Sequence, residues 1–337
     1  MAVPATKIER AAHLHRQLRV GPLLRRLPTW NGVLCLCFHR VGEPDNPIWE
    51  RELRGISADE LDWRLRMVRR HAEVISPADM LALDQAPRGR HVLVTFDDGY
   101  RGWVDAVLPI LEQHRIQAAF FVATGFIDRP HTPWWYEIPW TVRNAGSETL
   151  PTSPWTSAPV QLGGSRQDDA IAELLDVYKS VSGPATADFL AWLRRESGSG
   201  GCDQAVAADC WLSWDEVRTL RDAGMEVGGH TMNHPVLSRL SEAEQETEIA
   251  GCAERLEAEL GRPMRTFSYP VGLADSFGTT TEEILARLRV DLAFSYHGGF
   301  LRHGRPLDRL SVPRVTGDMD REIFEALLTS PQLFGRW

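Results

Sequence analysis

Val92-Leu-Val-Thr-Phe-Asp-Asp-Gly-Tyr100 decides how the rest of this chain is read. The run from Val92 to Phe96 is apolar and rich in β-branched and aromatic residues, the signature of a short buried strand. Asp97 and Asp98 stand where the strand stops, and Gly99 lets the chain turn sharply. In α/β folds the carboxyl end of a strand is where ligands bind. Two adjacent carboxylates repel each other there, so they need a cation or a proton between them.

Outward from this stretch, strands and helices alternate. Val33-Leu-Cys-Leu-Cys-Phe38 reads as a first buried strand, ending in His39-Arg40-Val41-Gly42. Ala118–Val122, Met225–Gly228, Thr266–Tyr269 and Leu292–Tyr296 read as further strands. Between them, Ser57-Ala-Asp-Glu60, Ser213-Trp-Asp-Glu216 and Ser241-Glu-Ala-Glu244 are capping boxes that start helices, and Ser76-Pro77 opens a shorter one. Val104, Val107, Leu108 and Leu111 line one helical face, and further helices are expected near 282–288 and 321–328. This alternation points to a mostly parallel α/β barrel or a doubly wound sheet. The pattern breaks from about 128 to 210, where prolines, glycines and Trp134, Trp135, Trp140 and Trp155 accumulate around a helical stretch from Asp168 to Ser197. We read this as a Trp-rich, partly helical insertion at a strand end. Its tryptophans either face a substrate or pack the insertion onto the barrel.

The chain has 337 residues, a length that fits two domains or one barrel with an insertion. A net charge of −9 argues against nucleic acid and leaves a neutral sugar or a cationic polymer as partner. Five cysteines contain no CxxC pair, and the odd count reads as reduced thiols in a cytoplasmic protein; Cys202 and Cys210 are the one pair placed to bridge a loop. Residues 1–32 form a basic N-terminal segment with Arg10, Arg16, Arg19, Arg25 and Arg26. Leu14, Leu18 and Leu24 give it a helical reading, either as a cap on the barrel or as a peripheral contact with an anionic membrane. No apolar run has the length of a signal peptide or a transmembrane span. The body of the fold is expected over 33–337.

The cation for the aspartates has a candidate source in His230 and His234. Just past a strand end, their spacing places two imidazoles on one side of a helical turn, within reach of one ion, and Asp98 can supply a third ligand. Two histidines and a carboxylate leave coordination positions open, the pattern of a catalytic metal.

Thr95-Phe-Asp-Asp-Gly99, His230-Thr-Met-Asn-His234 and Phe267-Ser-Tyr-Pro-Val-Gly272 resemble successive motifs of the polysaccharide deacetylase family, the NodB homology domain of carbohydrate esterase family 4. The resemblance spans roughly 33 to 315, with the insertion outside the motifs. It implies a distorted (β/α) barrel of about seven strands and metal-dependent hydrolysis of an N-acetyl or O-acetyl group. By the same resemblance, Asp98, His230 and His234 hold a divalent ion, most simply Zn²⁺, and Asp97 is the base that activates its water. Oxyanion donors are expected from the metal and from a backbone N–H near Val271, just after Pro270. Many relatives draw a proton-donating histidine from a Leu-x-His motif near the C-terminus; Leu301-Arg-His303 is only a near match. Cys37-Phe-His-Arg-Val41 instead resembles the permuted deacetylases of exopolysaccharides, which makes His39 the expected general acid, with His297 and His303 as alternatives. The third motif carries Ser268 where many relatives have an arginine that orients the base. Arg314 is the expected substitute, unless it is a surface or core-edge arginine. Tyr269, Trp134 and Trp135 are expected substrate contacts, Tyr269 alternatively a packing residue. The expected activity is removal of an N-acetyl group from an amino sugar or glycoconjugate. Cleavage of a non-sugar imide or amide, or non-catalytic carbohydrate binding, are the competing readings.

Overall fold

Val33, Cys35 and Cys37 alternate with Leu34, Leu36 and Phe38, and every residue of strand β1 (Gly32–Phe38) is buried. A strand with no exposed face must be covered on both sides, as in parallel sheets. The computed structural model, which describes residues 30–42, 55–202 and 210–334, shows how. Seven strands pair in parallel in the order β1, β11 (Val312–Thr316), β9 (Leu292–Ser295), β8 (Thr266–Ser268), β7 (Glu226–Gly229), β4 (Ala119–Val122) and β3 (Arg90–Phe96), and β3 pairs back with β1 to close a barrel. One set of alternating side chains, including Val33, Cys35, Leu93, Phe121 and Phe294, forms one apolar cluster. The other set, including Leu34, Phe38, Val94, Phe96 and Phe120, joins residues of the surrounding helices in a second cluster. Two short strands extend the sheet: β2 (Glu73–Val74) beside β3, and β10 (Leu301–Arg302) antiparallel to the start of β1. The barrel is thus the alternative realised, not the doubly wound sheet.

The helices start where the sequence places their caps. Helices α8 (Trp214–Asp222) and α9 (Glu242–Leu260) have complete capping boxes, and α9 ends on Gly261 at φ 67°, a left-handed conformation that suits glycine. At α1 (Ala58–His71) only half the box forms: Ser57 accepts from the Glu60 N–H, but the Glu60 carboxylate pairs with Arg64 and Arg321 instead. The short α2 (Pro77–Leu81) is capped by Ser76. Arg64 then donates to the Gly317 and Met319 carbonyls, tying α1 to the segment after β11.

The stretch from 128 to 202 is more regular than its composition suggests. It holds α5 (Trp134–Arg143), α6 (Gln167–Ser180), α7 (Thr186–Ser197) and a small hairpin, β5 (Thr149–Leu150) with β6 (Val160–Gln161). These elements share a separate apolar cluster with Ile138, Leu150, Leu174, Phe189 and Leu193. Helix α5 escapes the sequence reading because two tryptophans open it and Pro139 lies inside it. Its buried Trp134, Ile138, Thr141 and Val142 nevertheless recur at helical spacing. Cys202 and Cys210 are free thiols, so the alternative bridge between them is not made. Among the described residues no helix is long and apolar enough to cross a membrane. The basic N-terminal segment expected over 1–32 lies outside the described residues up to residue 29.

Candidate active site

Asp97 and Asp98 follow β3 at the barrel's carboxyl end, and the backbone there sends them to different partners. Asp97 continues the extended chain, its N–H donating to the Phe38 carbonyl. Asp98 adopts φ 88°, which is costly for a residue other than glycine and swings its side chain away from its neighbour's. Both carboxylates are buried.

Asp97 is held by the barrel interior. Arg314, fully buried on β11, donates from Nη1 to Oδ1 and from Nη2 to Oδ2, both at 2.7 Å. Ser268 Oγ donates to Oδ2 at 2.8 Å. Arg314 also donates to Thr95 Oγ1 at 3.1 Å and stacks over the Tyr296 ring at 4.8 Å. Burial pushes the Asp97 carboxyl up, but the Arg314 charge beside it prevails and holds it well below the usual carboxylate range.

Asp98 faces the two histidines. Its Oδ1 lies 3.3 Å from His230 Nε2 and 3.5 Å from His234 Nε2. His230 Nδ1–H donates to the Ser268 carbonyl at 2.7 Å, which leaves the Nε2 lone pair for an ion. Burial, reinforced by the neighbouring His230, holds His234 down at about 3, so its imidazole is neutral. One buried carboxylate oxygen and two imidazole nitrogens within 4.8 Å of one another fit a divalent ion such as zinc. The helical turn expected from their spacing is not what joins this pair. Residues 230–234 are not helical; Thr231 at φ 65° and His234 at φ 54° fold a tight loop that brings the imidazoles together.

His39 stands across the cleft, at the carboxyl end of β1. Its Nδ1 pairs with Asp318 Oδ2 at 2.9 Å, and Nε2 lies 3.3 Å from the Tyr296 hydroxyl. The two rings stack nearly parallel. Burial lowers the His39 pKa, but the bond to Asp318 and the aspartates opposite outweigh it and raise it to about 9, so the ring is protonated at neutral pH.

These groups line a cleft of about 400 Å³ together with Arg40, Tyr100, Trp134, Trp135 and Val271. Trp135 lays its ring 4.4 Å from that of His234 and donates from Nε1 to the Tyr100 hydroxyl. Trp134 packs on Tyr178 and donates to the His234 carbonyl, so it joins the insertion to the cleft wall. Val271 adopts φ 63°, and among the described residues its N–H has no acceptor. Tyr269 borders the cleft, but its side chain is fully buried, stacked on Phe277 and bonded to the Leu310 carbonyl. It is a packing residue. Pro270 is buried and does not line the cleft. Arg314 lies beneath Asp97 rather than in the cleft, so it serves the aspartate and not a substrate. His303 bonds the Ala86 carbonyl beside β10, which pairs with the first residues of β1 at the opposite end of the barrel. His297 packs on Phe277 and does not line the cleft. Sequence reasoning missed Asp318, Tyr296 and Tyr100. Tyr100 and Tyr296 follow strands legible in the sequence, where the strand-end rule applied to the Asp pair would have found them; Asp318 follows β11, which is not among the strands read from the sequence.

The sequence profile described as polysaccharide deacetylase matches residues 84–292. Among curated proteins none matches significantly. Several solved structures share the fold. IcaB from Ammonifex degensii superposes with a TM-score of 0.57 at 20% identity, covering 90% of this chain and 98% of its own. Streptococcus pyogenes deacetylase PplD, solved in complex with acetate, gives 0.54 at 17% identity, over 90% of this chain and 96% of that one. The polysaccharide deacetylase BC0361 from Bacillus cereus gives 0.51 at 16%, over 88% and 69%.

Proposed function

The chain belongs to the polysaccharide deacetylase family, and from that premise we propose that it removes the N-acetyl group of an amino sugar carried in an oligosaccharide or glycoconjugate. The observation that carries this reading is the division of the aspartate pair. One carboxylate is turned toward two histidines and the other is clamped by an arginine and a serine, so one pair supplies both an ion site and a free-standing base.

Asp98, His230 and His234 would hold the ion. When bound, a divalent metal polarises the acetyl carbonyl and acidifies a water. Asp97, ionised throughout the working range, accepts the proton of the attacking water. The unclaimed N–H of Val271 is a donor for the developing oxyanion. His39, protonated and oriented by Asp318, delivers a proton to the leaving amine. The aromatic wall of Trp134, Trp135 and Tyr100 suits the face of a sugar ring or its acetyl methyl, and the polar remainder of the cleft suits hydroxyls better than it suits an apolar imide. All five cysteines are buried free thiols, which supports a reducing, cytoplasmic setting.

The test is acetate release from N-acetylglucosamine oligomers by zinc-loaded protein, beside metal analysis of the protein as purified. Stoichiometric metal with acetate release supports the reading. Bound metal with release only from a cyclic imide or a non-sugar amide would replace it with the second hydrolase class. Metal retention without turnover of any acylated compound would make the chain a binding relative.

A further inference from the structure

The loop that carries His230 and His234 is strained, and something must hold it. Two of its residues other than glycine sit at positive φ, Thr231 at 65° and His234 at 54°. Such conformations persist only where the surroundings over-determine them. On one side, the Thr124 and Gly125 N–H groups donate to the Thr231 and Met232 carbonyls at 3.2 and 2.8 Å. The contact is close: a Cβ on Gly125 would lie 2.7 Å from both Asn233 Oδ1 and Met232 O. On the other side stands the side chain of Glu248, from the second turn of α9. Its Oε2 accepts from the Met232 N–H at 3.0 Å and the Asn233 N–H at 2.8 Å, and its Oε1 accepts from Asn233 Nδ2 at 2.7 Å. An ionised carboxylate makes these bonds stronger than neutral ones.

We propose that Glu248 is the positioning residue of the metal site: it fixes the loop between the two histidines so that both Nε2 atoms stay within reach of Asp98 Oδ1. This rests on the metal reading of the cleft. Glu248 touches neither histidine ring in any bond described above; it acts through the backbone of Met232 and Asn233. Groups behind metal ligands tune affinity because they set ligand orientation before the ion arrives. Three bonds from one carboxylate to two consecutive residues remove the loop's freedom to relax its positive φ values.

The experiment measures zinc affinity directly, by competition with a chromogenic chelator on the full chain, with the thermal midpoint of the metal-free protein alongside. Glu248→Ala should weaken zinc about 10- to 100-fold, the range found when outer-shell partners are removed, while the metal-free midpoint moves little. Glu248→Gln keeps one acceptor oxygen and should fall between. Asn233→Ala loses only the side-chain bond and should cost less than Glu248→Ala. Gly125→Ala pushes the same loop from the other side and should also weaken zinc. Glu254→Ala, exposed on the same helix, should leave affinity unchanged. Zinc affinity unaltered in Glu248→Ala, with or without a lowered midpoint, overturns the proposal and leaves Glu248 a structural cap. Should Glu248→Ala fail to fold, Glu248→Gln and Gly125→Ala decide in the same way. Wild-type protein that binds no zinc would sink the metal reading itself, and this one with it.

Discussion

Arg314 reaches Asp97 across the whole width of β1, with one hydrogen bond of 2.7 Å to each carboxylate oxygen. The two residues lie 217 positions apart, Arg314 on β11 and Asp97 directly after β3, strands that flank β1 on opposite sides. Both are buried, so neither charge has water to fall back on. Removing one partner of such a pair leaves an uncompensated buried charge, which costs about 3–5 kcal/mol. Arg314→Met should therefore lower stability by about that much in denaturant unfolding. The pH sign follows from the depressed Asp97 pKa. A carboxylate held below its unfolded value of about 3.9 contributes stability that is fully present above that pH and is lost as pH falls through the folded value. Without Arg314 the Asp97 pKa rises, so the acid limb of kcat/KM should move to higher pH. Arg314→Lys cannot reproduce the two-toothed contact and should give an intermediate result. An unmoved acid limb would show that Asp97 is not the titrating base.

The two aspartates should fail differently. Asp98→Ala and His230→Ala each remove one of three ligand atoms and should lose the metal, measured by elemental analysis after dialysis. Asp97→Asn removes no ligand and should keep the metal while turnover drops about 10²- to 10⁴-fold, the usual contribution of a positioned base. Near-normal turnover in Asp97→Asn would overturn its role.

The barrel was legible because its strands are short, apolar and bounded by capping boxes, so Val33–Phe38 and Val92–Phe96 stand out without any tertiary knowledge. The convergence of Asp98 with His230 and His234 was legible for the same reason, since each ends a readable strand. The loop geometry was not. His-x-x-x-His reads equally as one helical turn, and only the backbone angles of Thr231 and His234 distinguish the two. The insertion was also opaque: Trp134, Trp135 and Pro139 hide a helix whose stability comes from packing on Tyr178 and the helices beside it, not from propensity. Asp318 was invisible because its importance lies wholly in a partner 279 residues away, His39.

Trp135 offers a test of the aromatic wall. Its ring lies 4.4 Å from that of His234, and its indole N–H is tied to Tyr100. Trp135→Ala should raise KM for N-acetylated oligomers about 2- to 10-fold, the loss of about 0.5–1.5 kcal/mol of ring contact, with a smaller fall in kcat. Trp135→Phe keeps an aromatic face but loses the N–H bond to the Tyr100 hydroxyl, and should recover most of the KM. A KM unchanged in Trp135→Ala would place the sugar elsewhere in the cleft.

His39 and Asp318 make the sharpest prediction about pH. Asp318 accepts from the His39 ring at 2.9 Å and from the His39 backbone N–H at 3.2 Å, so it fixes both the position and the tautomer of the imidazole. It is also the chief reason that the His39 pKa rises to about 9, above the ordinary imidazole range. An acid must be protonated to act, so a raised pKa extends activity toward alkaline pH, and kcat should fall as pH passes through the His39 value. Asp318→Asn keeps the shape of the contact and removes its charge. The alkaline limb should then shift to lower pH, toward the unperturbed imidazole, while the rate on the acid side of the limb changes less. Tyr296→Phe removes the hydroxyl at His39 Nε2 but leaves the ring stacked, and should shift the limb far less than Asp318→Asn. His39→Ala should lower kcat about 10²- to 10³-fold with an amide substrate. It should matter much less with an acetyl ester of an acidic alcohol, because that leaving group departs without a proton. Equal losses on amide and ester would show that His39 positions substrate rather than delivering the proton.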